Sequence, residues 1–126
     1  MKKIFKYCLI ISLGLFMNSC YYDSIADEII VEDIIDDPDD PNYVEILLGA
    51  DIQPIFTAKC AMCHNASRNP DLRVGESYAA LVPEYVVAGD ANNSPLYNKM
   101  ANGHNTPSSD ELALIKAWID RGAKND

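Results

Sequence analysis

Two cysteines three positions apart with a histidine directly behind them, Cys60-Ala61-Met62-Cys63-His64, are the residues of this chain best suited to chemistry. At that spacing each thiol can close a thioether on one edge of a porphyrin, and the next imidazole turns beneath the ring to offer its nitrogen to the iron. Ordinary residue usage produces the pattern in a chain of 126 residues on the order of once in a thousand. The implied cofactor is one covalent haem c, with Cys60 and Cys63 as thioether anchors and His64 as the proximal axial ligand.

The elements that must position this motif read as helices. Ser108 and Glu111 have capping-box spacing, Leu112, Ile115, Trp118 and Ile119 recur on one face, and Gly122 stops the run, which predicts a helix over about residues 109–121. A second helix begins near Asp51, tolerates Pro54 in its first turn, and leads through Ile55, Phe56 and Ala58 into the motif. Ser94-Pro95 opens a third, whose apolar side is Leu96, Tyr97 and Met100, and residues 76–82 suit a short fourth. Residues 43–48 and 85–87 are apolar enough for strands but have no convincing hairpin partner. The fold class expected is therefore all-α, with three to four short helices. The domain of about 84 residues over 43–126 is small for a self-sufficient core, and a bound macrocycle would serve as its staple.

Ahead of this domain the chain reads as exported. Lys2, Lys3 and Lys6 precede an apolar stretch over residues 4–17 that is too short for a membrane span, so residues 1–19 read as a signal peptide. Asn18-Ser19-Cys20 resembles a bacterial lipobox, with Asn18 a departure from the usual small or aliphatic residue; cleavage there would leave a lipidated Cys20 as membrane anchor. An ordinary signal peptide cut nearby, giving a free secreted protein, is the alternative. With Cys8 removed and Cys20 lipidated, the motif pair are the only thiols left. Residues 20–42 form an acidic tether: from 21 onward they carry nine Asp or Glu and no Lys or Arg, and self-repulsion should hold them extended over roughly 70 Å. Processing removes three of ten basic residues and none of 19 acidic ones, leaving a net charge of −12. Nucleic acid is excluded as a partner class by that charge.

Two other chemistries fit a CxxC pair. A thiol redox couple normally opens a helix after a strand, and no strand-rich run precedes Cys60. Zinc would need a fourth donor after Cys60, Cys63 and His64, and His104 is the remaining good one. A zinc site leaves export unexplained, whereas haem attachment takes place outside the cytoplasm.

Beyond the motif, a further set of residues resembles the small class I c-type cytochromes, particularly the cytochrome c-like domains of bacterial lipoproteins and those related to planctomycete-type cytochrome c domains. They are Asp51-Ile52-Gln53-Pro54-Ile55-Phe56, Asp71-Leu72-Arg73, Ser77-Tyr78-Ala79-Ala80-Leu81-Val82, Gly89-Asp90, Ser94-Pro95-Leu96-Tyr97 and the closing Trp118-Ile119-Asp120-Arg121-Gly122-Ala123. The resemblance spans nearly the whole domain. It implies a few helices enclosing one haem with an exposed edge, and electron carriage as the role.

Relatives commonly place a Met-Pro-Pro methionine on the iron from the loop before the last helix, and here that loop reads Gly103-His104-Asn105-Thr106-Pro107. Two residues can stand in as distal ligand: Met100, whose thioether would raise the potential, and His104, whose imidazole would lower it. An open or water-bound iron is the third case. Tyr78, Tyr85, Tyr97 and Trp118 are candidates for the haem pocket or for plain core, and Arg73 is a candidate partner for a haem propionate. No nucleophile with a base, paired-carboxylate site or phosphate loop is present. The expectation is a non-enzymatic, monomeric, membrane-tethered mono-haem cytochrome that passes single electrons between redox proteins in the periplasm or at the cell surface. A five-coordinate haem that binds gas or peroxide, and a haem-bearing binding module of a secreted complex, are the alternatives.

Overall fold

The computed structural model describes residues 34–104 and 107–126. Residues 1–33, and with them the signal segment, the Cys20 anchor and the first part of the acidic tether, lie outside the described residues. The described residues hold four α-helices and no strand, an all-α arrangement. A π-helical turn, Leu48–Ile52, runs directly into α1, Gln53–Lys59; α2 is Ser77–Leu81, and a 3-10 turn at Ala91–Asn93 precedes α3, Pro95–Ala101, and α4, Ser109–Asp120.

The last helix is built as its residues dictate. Ser108 Oγ accepts from Glu111 N at 3.2 Å while Glu111 Oε2 accepts from Ser108 N at 2.6 Å, so two otherwise orphaned amides are satisfied reciprocally. At the other end Gly122, at φ 102°, reverses the chain so that Ala123 N reaches Trp118 O at 2.9 Å and Gly122 N reaches Ile119 O at 3.0 Å, a Schellman motif. Between these caps Ile115, Ala117, Trp118 and Ile119 are buried. This face packs on the π-turn, on the 3-10 turn and on α3.

The first helix starts differently from expectation. Asp51 does not open a regular helix; its Oδ2 accepts from Leu47 N at 2.7 Å and holds the preceding turn in π geometry, and the α-helix proper begins at Gln53 with Pro54 in its first turn. The C-terminal residue closes over this turn: Gly49 N donates to Asp126 O at 2.9 Å, and a Cβ on Gly49 would lie 3.1 Å from that oxygen. Gln53 is buried and fully used, its Nε2 donating to Leu72 O at 3.0 Å and its Oε1 accepting from Ser77 Oγ, so α1, the loop after the motif and the start of α2 share one polar hub.

Ser94 begins α3 without capping it. Its hydroxyl donates to Asp90 O at 2.8 Å and accepts from Val87 N at 2.9 Å, fully buried, and so ties the loop before α3 together. The end of the acidic stretch is also built in. Arg121 donates to Ile35 O at 2.7 Å and Val44 O at 2.8 Å, meets Asp36 at 3.2 Å and stacks 4.8 Å over the Tyr43 ring, so residues 35–44 lie against the end of α4 rather than projecting extended.

Lys59, the residue before the motif, meets Glu111 at 2.7 Å and ties the end of α1 to the start of α4. Burial opposes ionisation of Glu111, but the Lys59 ammonium and the Ser108 amide outweigh it and hold the carboxyl below its ordinary range. A carboxylate with a depressed folded pKa contributes stability that is fully present above its unfolded value near about 4.3 and is lost as pH falls through the folded value. Glu111→Gln should therefore lower the urea midpoint at pH 7, with the gap to the parent shrinking below about pH 4. A gap that stays constant across that range would show the ion pair to be inert.

Candidate functional site

The motif occupies the turn that ends α1. Cys60 N and Ala61 N both donate to Phe56 O at 2.8 Å, then Cys63 N and His64 N fold back on Cys60 O at 3.1 and 2.8 Å. This second turn sets the two thiols and the imidazole around one short arc of backbone. Met62, between them, is 86% exposed and faces away from the core. Leu72 N donates to His64 O at 3.0 Å, which closes the loop of residues 65–71 back onto the motif.

A cavity of about 440 Å3 opens beside this turn, well inside the about 300–1,000 Å3 typical of small-molecule and cofactor sites. Cys60 and His64 form one wall, and Leu72, Tyr85, Leu96 and Met100 supply apolar surface. Arg68, Lys99 and His104 bring its charged and imidazole side chains, and Asn69, Pro70 and Pro95 complete the lining. A second hollow, of about 500 Å3, is lined by Leu48, Pro54, Val74 and Tyr78 among others and by no cysteine or histidine.

His64 is half-buried, and its Nδ1 is a buried nitrogen that lacks any hydrogen-bond partner among the described residues. Desolvating an imidazole nitrogen without a partner costs on the order of 1–3 kcal/mol. Its ring centre stands 6.1 Å from that of His104, with the two planes nearly perpendicular at 77°.

No family model, curated protein or solved structure matches the chain. Its chemistry must therefore be read from the site alone.

The thiols speak against a dithiol redox couple. Cys60 follows the C-terminal end of α1, where helix carbonyls disfavour a thiolate, and burial first, then the Glu111 carboxylate, push its thiol above the ordinary range against the pull of Lys59. A redox CxxC needs the opposite, a thiol lowered at a helix N-terminus. Both thiols are free, with Cys63 exposed and Cys60 half-buried. For zinc, no set of three or more His, Cys, Asp or Glu side chains stands ready to hold a metal ion among the described residues. Of the motif's three donors, Cys60 and His64 line the cavity, and the exposed Cys63 lies outside its lining.

Of the four aromatic candidates only Tyr85 lines the cavity. Trp118 is core, 1% exposed, with its indole Nε1 donating to Lys124 O at 3.0 Å; Tyr78 borders the second hollow, and Tyr97 packs against the core. Arg73 is held by Asp71 through a forked pair at 2.6–3.2 Å and does not line the cavity. The cations that do are Arg68 and Lys99, which sequence reasoning missed. Arg68 lies only four residues beyond His64, and that spacing was the available signal.

Proposed function

We propose that this chain is an exported, membrane-tethered mono-haem c-type electron carrier with a cytochrome c-like fold. The observation that carries the reading is the Cys60-Ala61-Met62-Cys63-His64 turn, whose Cys60 and His64 line a mostly apolar cavity of cofactor size. When bound, haem c supplies a one-electron ferric–ferrous couple.

The chain's own residues do the rest. Cys60 and Cys63 anchor the ring edge so that it cannot dissociate, and His64 presents its nitrogen from a backbone turn pinned by three hydrogen bonds, to Cys60 O twice and from Leu72 N. Leu72, Leu96 and Met100 exclude water, which keeps the reorganisation accompanying electron transfer small. Arg68 and Lys99, which line the same cavity, would offer positive charge to a ring's carboxylates. The role requires no nucleophile and no general base. Export and Cys20 lipidation rest on the N-terminal residues, and redox proteins are the partners such a tethered carrier serves.

Expression of the full chain in a host that exports and matures c-type cytochromes tests the proposal. The mature polypeptide should be heavier by one haem that survives acid extraction, and its reduced visible spectrum should show a c-type α-band. A mature chain of bare polypeptide mass would refute it. Incorporation of labelled fatty acid, abolished by Cys20→Ser, reports separately on the anchor.

A further inference from the structure

We infer that His104 is the second axial ligand, making this a bis-histidine centre, and that Met100 is a core residue; the inference rests on the haem reading above. Metal–imidazole bonds of about 2.0–2.1 Å, with each nitrogen about 1.1 Å from its ring centre, separate two rings that share a metal by roughly 6 Å. The His64 and His104 ring centres are 6.1 Å apart, across the cavity both residues line. Two rings in simple edge-to-face contact also fall within about 4.5–7 Å, so the spacing gains its meaning from both rings bordering the one cavity that Cys60 also lines.

The backbone explains how a loop histidine arrives there. Gly103, at φ 91°, ends α3 in a Schellman motif, with Gly103 N on Met100 O at 3.0 Å and His104 N on Lys99 O at 3.2 Å. The left-handed glycine turns the chain back, so the next side chain borders the cavity instead of continuing along the helix. His104 is itself exposed, and its ring makes no hydrogen bond among the described residues.

Met100 is placed for the other task. It lies in the regular part of α3, is 4% exposed and belongs to the buried cluster that includes Trp118 and Phe56. Its side chain also borders the cavity, as part of the apolar wall beside Leu72 and Leu96. The functional consequence is a lower potential than a histidine–methionine centre would have, because two imidazoles stabilise ferric iron relative to imidazole plus thioether.

The test compares the full, matured chain with His104→Ala and Met100→Leu, the latter conserving volume so that the core stays filled. Haem content by mass is measured alongside the ferric spectrum and cyanide or carbon monoxide binding. The expected result is covalent haem in all three proteins, a low-spin ferric spectrum without the near-infrared thioether band in the parent and in Met100→Leu, and a high-spin, ligand-binding ferric centre in His104→Ala alone. Low spin retained in His104→Ala, or lost in Met100→Leu, overturns the assignment while leaving the haem reading intact, as does a high-spin parent. A parent without covalent haem overturns both.

Discussion

Replacing Cys60 and Cys63 together by alanine is expected to abolish covalent haem retention and to lower the thermal midpoint by about 8–16 °C. The domain is small enough that its own core leaves little margin, and a cavity of about 440 Å3 runs along the motif turn. A cross-link that closes the four-residue loop Cys60–Cys63 contributes about 2 kcal/mol, and each kcal/mol moves the midpoint of a 60–100-residue domain by roughly 4–8 °C. The double variant should therefore melt about 8–16 °C lower, with any haem it holds extracted by acidified solvent. Single variants should retain one thioether and fall between. Acid-resistant haem in the double variant would mean that the thiols are not the anchors.

Trp118→Ala should cost about 3–5 kcal/mol of unfolding free energy, measured by urea denaturation of the matured protein. The indole is 1% exposed at the centre of the cluster, and its Nε1 closes the turn after α4 by donating to Lys124 O. A domain of this size is stabilised by roughly 4–13 kcal/mol in all, so the loss is a large fraction of the whole. Trp118→Phe, which keeps an aromatic ring and gives up the hydrogen bond and some volume, should cost about 1–2 kcal/mol. A loss below 1 kcal/mol for the alanine variant would show that the cluster collapses around the gap.

Where an element's ends are written in local chemistry, it could be read directly from the residues. Ser108, Glu111 and Gly122 delimited α4 because capping box and Schellman motif are interactions between residues a few positions apart. Ser94-Pro95 marked the start of α3 for the same reason, yet the serine hydroxyl turned inward to Asp90 O and Val87 N, a choice made by burial. Gln53 had no local signature at all. Its partners, Leu72 O and Ser77 Oγ, are 19 and 24 residues away and became neighbours only on folding. Likewise the acidic stretch looked extended on charge grounds, but Arg121, some 85 residues later, gathers its last part.

By themselves the residues determined the helical class, the ends of α4 and the chemistry expected at Cys60, Cys63 and His64, since capping signals and the spacing of two thiols and an imidazole are properties of short segments. Only the tertiary structure decided which side chains meet across the cavity. It set His104 opposite His64, buried Met100 in the core and put Arg68 and Lys99, instead of Arg73, beside the site. Those outcomes depend on a chain reversal at Gly103 and on competition among distant partners, which spacing along the chain does not encode.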